Sequence, residues 1–89
     1  MKLNFKQIQV EVTFDEFKEL DITKHVGNYI HTNTNDIGLD DVARNIYHST
    51  GEIEVPDEYI PKIKELIESP ECQLLAGVKR AILKQFDKE

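Results

Sequence analysis

Three histidines and one cysteine are the side chains in this sequence best suited to bind a metal or to attack a substrate. The histidines are His25, His31 and His48, and the cysteine is Cys72. No histidine lies four residues from another, and none joins Cys72 at the spacing of a zinc site. His25 and His31 are six residues apart, a spacing that places them on different faces of a helix. The sequence therefore predicts no metal site and no cofactor.

The segment from Asn33 to Arg44 partly matches a calcium-binding EF-hand loop. It has Asn33, Asn35, Gly38 and Asp41 at loop positions one, three, six and nine. Position five is Ile37 and position twelve is Arg44, however, where calcium needs an oxygen ligand and a bidentate glutamate. A connecting loop is the better interpretation of this segment.

Cys72 is a candidate nucleophile, because the sequence places it in the first turn of a helix that would begin after Ser69. A helix N-terminus favours the thiolate form of cysteine, but the neighbouring Glu71 opposes it and no histidine lies in helical register. A single cysteine beside an apolar stripe is more often a small core residue. The glycines are scattered and form no phosphate-binding loop. We therefore expect the protein not to be an enzyme.

A basic group occurs in the last stretch of the chain, and it consists of Lys79, Arg80, Lys84 and Lys88. A helix with basic residues at these spacings can follow the phosphates of DNA. The net charge of -6 repels nucleic acid at long range, and cations near a helix C-terminus also stabilise the helix dipole. The sequence thus disfavours nucleic-acid binding. A nucleic-acid-linked regulator stays open as the alternative, through direct DNA binding by this helix or as an acidic antagonist of a DNA-binding protein.

The hydrophobic pattern changes its period along the chain. Ile8, Val10, Val12 and Phe14 alternate with polar residues, which predicts a strand with one apolar face. A polar turn around Asp15 and Glu16 and a second strand reaching Leu20 complete a predicted N-terminal β-hairpin. Phe17 falls beside the turn, where it either folds back onto the sheet or stays exposed. Residues 52–55 also alternate, and a short third strand there is left open.

Apolar residues at helical spacing predict about four α-helices after the hairpin. The first is capped by Asp21 or Thr23, the second begins at Leu39, and the third follows Pro56. The fourth begins with Ser69 as its N-cap and Pro70 at its first position. The predicted fold class is α+β, with the hairpin packed against the helices in a single domain spanning residues 1–89.

The order of segments resembles a group of small uncharacterised proteins encoded by prophages and related mobile elements. The resemblance rests on the opening hairpin and on four segments, residues 26–30, 41–48, 51–56 and 78–82. It implies a bacterial or phage cytoplasmic setting and an accessory role. It supplies no functional residues to transfer.

Size and composition narrow the function further. The 89 residues form a small core, so self-association as a homodimer would bury useful apolar surface. A single cysteine favours a reducing cytoplasm, and no apolar run is long enough to cross a membrane. We expect a non-enzymatic protein that acts through contacts with a protein partner of unknown identity. Its surface would include the unpaired hairpin edge or the apolar Phe17, Leu83 and Phe86, beside the basic Lys79, Arg80 and Lys84.

Overall fold

The computed structural model describes residues 1–87 and confirms the α+β class. Lys88, which was assigned to the basic group, lies outside the described residues. The strands are β1 (Lys2–Asn4), β2 (Ile8–Thr13), β3 (Glu16–Leu20) and β4 (Glu52–Glu54). The helices are α1 (Thr23–Asn33), α2 (Ile37–Tyr47), α3 (Ile60–Glu68), preceded by a short 3-10 turn at Asp57–Tyr59, and α4 (Ala76–Phe86).

Strands β2 and β3 form the predicted hairpin and pair antiparallel, with Ile8 opposite Leu20. Asp15 adopts a left-handed backbone (φ 64°) in the turn, a conformation that aspartate tolerates better than most residues. A β-bulge at Val12 leaves this residue without a partner on β3, and the predicted apolar face ends there. Ile8 and Val10 are buried, but Val12 and Phe14 are exposed, so the prediction that all four share one inward face is wrong.

The sequence did not decide whether residues 52–55 form a short third strand. The strand is present as β4, but it does not extend the hairpin. It pairs antiparallel with β1, which the hydrophobic pattern did not predict, and Leu3 lies opposite Ile53. The two hairpin strands and this second pair are separate two-stranded sheets. A strand of three residues with one buried side chain is too short to show alternation, which is why β1 was missed.

Helices α1 and α2 pack closely at Gly27, which lies within α1. A Cβ atom at this position would lie 2.8 Å from the Cβ of Tyr47 and 2.9 Å from the carbonyl oxygen of Ala43. Glycine lowers the helix propensity here, but its lack of a side chain allows the two backbones to approach each other. Ile22 occupies the N-cap position of α1, and Asp21 instead accepts hydrogen bonds from the backbone amide and hydroxyl of Thr23.

Helix α2 begins two residues before the predicted start at Leu39, because Asp36 caps it. The Asp36 carboxylate accepts hydrogen bonds from the amides of Gly38 (2.9 Å) and Leu39 (3.3 Å). Its second oxygen accepts a hydrogen bond from Lys62 Nζ at 2.9 Å. Lys62 and the capped amides lower the pKa of Asp36. This carboxylate thus connects the start of α2 to α3.

The predicted start of the fourth helix at Ser69 is wrong, since α4 begins at Ala76. Ser69 does accept hydrogen bonds, through Oγ from the Glu71 amide (3.2 Å) and through its carbonyl from the Cys72 amide (3.0 Å). These bonds close a single turn that does not continue. Capping chemistry specifies only the first turn, and propagation depends on packing along the following residues. Here Cys72 is buried, in a connection that leads to α4.

One core joins the two sheets to the four helices. Its fully buried large side chains come from every part of the chain: Leu3, Phe5, Val26, Ile30, Ile46, Val55, Ile63, Ile67 and Ile82. The backbone amide of Ile22 donates to the carbonyl of Phe5 at 2.9 Å and holds the start of α1 against the β1–β2 connection. Residues 12–19, which include the hairpin turn, are all exposed.

Candidate functional site

The end of the hairpin carries three exposed apolar side chains, which we call the hairpin tip (Val12, Phe14 and Phe17). Their exposed fractions are 42%, 90% and 59%. Residues 1–87 contain only two other large apolar side chains with comparable exposure, Ile37 and Leu75. Exposed aromatic side chains grouped in this way are typical of surfaces that bind other proteins. The tip is therefore the strongest candidate for a functional site.

Phe17 lies on the outer face of the hairpin. In the ladder it is opposite Glu11, while Gln9 is opposite Glu19. Residues opposite one another in an antiparallel ladder share a face, so Phe17 points away from the face that contains the buried Ile8. Of the two alternatives for Phe17, the structure has the exposed one.

The outer edge of β3 adjoins the tip. Residues 16–19 are all exposed, and Leu20 is half-buried. The hairpin sheet has only two strands, and β2 occupies the other side of β3. Within the described part of the chain, this edge therefore has no strand partner, and its outward-pointing amides and carbonyls are free for pairing.

A groove with a volume of about 790 Å³ lies between the hairpin and α4. Phe17 and Glu11 line its hairpin side, and Arg80 and Lys84 line its helical side. The helix approaches the strand closely because Gly77 carries no side chain: a Cβ atom there would lie 2.3 Å from the carbonyl oxygen of Glu11. Three of the six predicted surface residues are thus brought to one concave surface.

The basic residues of α4 do not form one free cationic face. Lys79 Nζ donates to the carbonyl oxygen of Ser69 at 3.3 Å. The guanidinium of Arg80 lies 3.7 Å from the carboxylate of Glu11, and Lys84 is exposed. Gln85, the residue best suited to read a base, forms two hydrogen bonds with the backbone of Asn4 at 2.9 Å. These contacts engage Lys79, Arg80 and Gln85, three of the polar groups that a DNA-binding helix would present.

Leu83 and Phe86 of α4 were predicted to belong to the interaction surface, because a small core could not bury both of them together with Phe17. Phe86 is only 8% exposed and belongs to the core, so its assignment to an exposed surface is wrong. Leu83 is half-buried and packs against the same core. The C-terminal turn of α4 lies over the core, and the Phe86 ring packs there with the other buried side chains.

The histidines are only partly brought together. His31 and His48 both line a shallow cleft of about 190 Å³ between α1 and α2, and His31 Nδ1 contacts the carboxylate of Asp40. His25 is exposed on α1 and does not line the cleft. From Met1 to Asp87, no three His, Cys, Asp or Glu side chains are close enough to hold a metal ion.

Cys72 is buried beside Tyr29 and lies in the α3–α4 connection, not in the first turn of a helix. The Tyr29 hydroxyl donates to the carbonyl oxygen of Leu66 at 2.7 Å and joins α1 to α3. The pKa of Tyr29 is raised to about 12, mainly by burial and secondly by the adjacent Cys72 thiol. The first turn of a helix, where the dipole would favour the Cys72 thiolate, begins only at Ala76.

We predict that native Cys72 reacts with iodoacetamide at neutral pH much more slowly than free cysteine does. Its buried side chain must become accessible before alkylation, so the rate follows local opening of the α3–α4 connection. Mass spectrometry of timed samples measures this rate, and the same reaction in urea is the control for reagent quality. Native alkylation as fast as that of free cysteine would contradict the prediction.

No family model matches the sequence, no curated protein is similar to it, and no solved structure matches it. None of the helices found in residues 1–87 combines the length and the apolar character needed to cross a membrane. The hairpin tip and the adjoining strand edge are the features of the described residues that bear on function.

Proposed function

We propose that this chain is a non-enzymatic accessory protein of a phage or mobile element, which works in the cytoplasm through protein-protein contacts. The contact is made by the hairpin. The observation that carries the proposal is the grouping of Val12, Phe14 and Phe17 as exposed side chains beside an unpaired strand edge. The mobile-element setting is supported by the resemblance in segment order.

The energetics of the hairpin tip favour a binding role. Full burial of an aromatic side chain of this size is worth about 1.5–3 kcal/mol relative to leaving it in water. Phe14 and Phe17 gain little of this in the isolated chain, because most of each ring stays in solvent. A partner that covers both rings would recover it, and strand addition to β3 would add main-chain hydrogen bonds.

The arrangement of reactive groups supports a non-enzymatic role. Cys72 is buried beside Tyr29, whereas His31 and His48 line a cleft between α1 and α2. A nucleophile and its base need to lie within hydrogen-bond reach of each other in one accessible site. The thiol and the imidazoles described here do not form such a pair.

Site-specific photo-cross-linking in the native host tests the proposal. A benzoylphenylalanine at position 14 places the reactive group on the hairpin tip, and the matched control carries it at position 37, another exposed apolar residue at the start of α2. We expect a discrete protein adduct from position 14 only. Failure to form an adduct at position 14, or the same adducts from both positions, would contradict the proposal.

A further inference from the structure

The sequence of β3 limits how its edge can pair with a second copy of this chain. In a two-fold symmetric antiparallel pair, one residue faces its own counterpart, and the neighbours on either side face each other across the axis. Facing residues point to the same side of the sheet, whereas consecutive residues of one strand point to opposite sides. The two-fold axis must therefore lie at a residue and its own counterpart, and not midway between two consecutive residues. Each residue of β3 therefore defines one register, and the registers can be compared by their facing pairs.

Four of the five registers oppose like charges or use a residue of the hairpin interior. Centring the pair on Glu16, Lys18 or Glu19 places two identical charges opposite each other at the axis. Centring it on Leu20 requires a side chain that is half-buried against the core, at the last residue of the strand. These registers are disfavoured by charge or by packing.

The register centred on Phe17 is self-complementary. Phe17 faces Phe17 of the second copy, and on each side Glu16 faces Lys18. The next residue, Glu19, would face Asp15, but Asp15 precedes β3 and its left-handed backbone takes it out of the ladder. An aromatic pair at the centre and two opposite-charge pairs beside it are among the favourable cross-strand combinations. An exposed edge lysine normally discourages strand addition, but in this register Lys18 meets a carboxylate. The exposed Phe14 lies at the same end of the hairpin and adds apolar surface there.

From this charge complementarity we infer that the β3 edge binds a second copy of the chain, in the register that places Phe17 at the two-fold axis. The product is a four-stranded antiparallel sheet with strand order β2, β3, β3 and β2. This inference rests on the proposed function, because it names the partner of the same hairpin surface. Its ladder has three facing pairs, as many as the ladder that joins β1 to β4.

A charge-swap experiment tests the register. Sedimentation equilibrium over a hundredfold range of protein concentration measures dimerisation of the 10.3 kDa chain. Glu16→Lys opposes two lysines on each side of the axis, and Lys18→Glu opposes two glutamates, so we expect each to weaken dimerisation about tenfold. The double variant Glu16→Lys/Lys18→Glu restores the opposite-charge pairs and should restore the wild-type affinity. Phe17→Asp should abolish the dimer.

Glu16 also accepts a hydrogen bond from the Thr13 hydroxyl at 3.0 Å, so circular dichroism of each variant is needed to check that the overall fold is kept. Both Glu16→Lys variants lose this bond, so rescue by the double variant cannot come from it. A wild-type chain that stays monomeric, or a double variant as weak as the single ones, would overturn the inference. The proposed function fails separately, when cross-linking from position 14 captures neither a second copy nor another protein.

Discussion

Replacing Phe5 with alanine should lower the free energy of unfolding to between about 0 and 2 kcal/mol. Phe5 is fully buried and connects β1 to β2, beside the start of α1. Removing a buried phenylalanine ring costs about 3–5 kcal/mol, from lost burial and from the cavity that stays behind. A domain of this size has a free energy of unfolding of about 5 kcal/mol, near the lower end of the usual range. The substitution therefore removes most of the stability.

Thermal and urea unfolding followed by circular dichroism measure this loss. We expect the midpoint temperature of Phe5→Ala to fall by about 20 °C, or the variant to be unfolded from the start. Phe14→Ala is the matched control, because the same ring is removed from a site that is 90% exposed. Its free energy of unfolding should change by less than about 0.5 kcal/mol. Equal losses in the two variants would contradict the buried position of Phe5.

The second large effect is expected at Gly77, where α4 lies against β2. The methyl group of alanine would lie 2.3 Å from the carbonyl oxygen of Glu11, far inside normal contact. A backbone carbonyl in a ladder cannot rotate away as a side chain can, so the helix and strand must separate. Overpacking of this kind costs about 1–3 kcal/mol, which exceeds the gain of about 1 kcal/mol in helix propensity. Gly77→Ala should thus destabilise the protein although alanine is the better helix former.

Gly51→Ala is the control for this glycine. A Cβ atom at Gly51 would meet no atom within 4 Å, and its backbone is not left-handed. The substitution should be neutral or slightly stabilising, because it restricts the unfolded chain without straining the folded one. Urea unfolding of both variants gives the comparison. If Gly77→Ala were as stable as Gly51→Ala, α4 would not approach β2 as closely as described.

The hairpin and most helices were predictable because their signals are local. Alternation at Ile8 and Val10 indicates a strand. Pro56 and Pro61 indicate the start of the third helix, because proline is favoured in the first turn. The start of α4 was not predictable in this way. Ser69 accepts the expected local hydrogen bonds, but whether a turn continues as a helix depends on contacts with residues far away in the sequence.

The candidate site shows the same division. Phe17 could be singled out from its place beside the turn, and it is exposed. Phe86 was assigned wrongly, because an aromatic residue near the end of an amphipathic helix has the same local pattern whether or not the core reaches it. The exposure of Val12 depends on a bulge, and a one-residue bulge leaves no signal in an alternating sequence.

The paired hydrogen bonds between Asn4 and Gln85 join residues 81 positions apart, and β1 has its strand partner at residues 52–54. A nascent chain leaving the ribosome cannot make the first of these contacts until α4 has emerged. The apolar residues of β1 and β2 therefore stay unpacked and exposed to solvent while the rest of the chain is translated. Chaperone binding during synthesis should concentrate on this early segment and end when α4 docks.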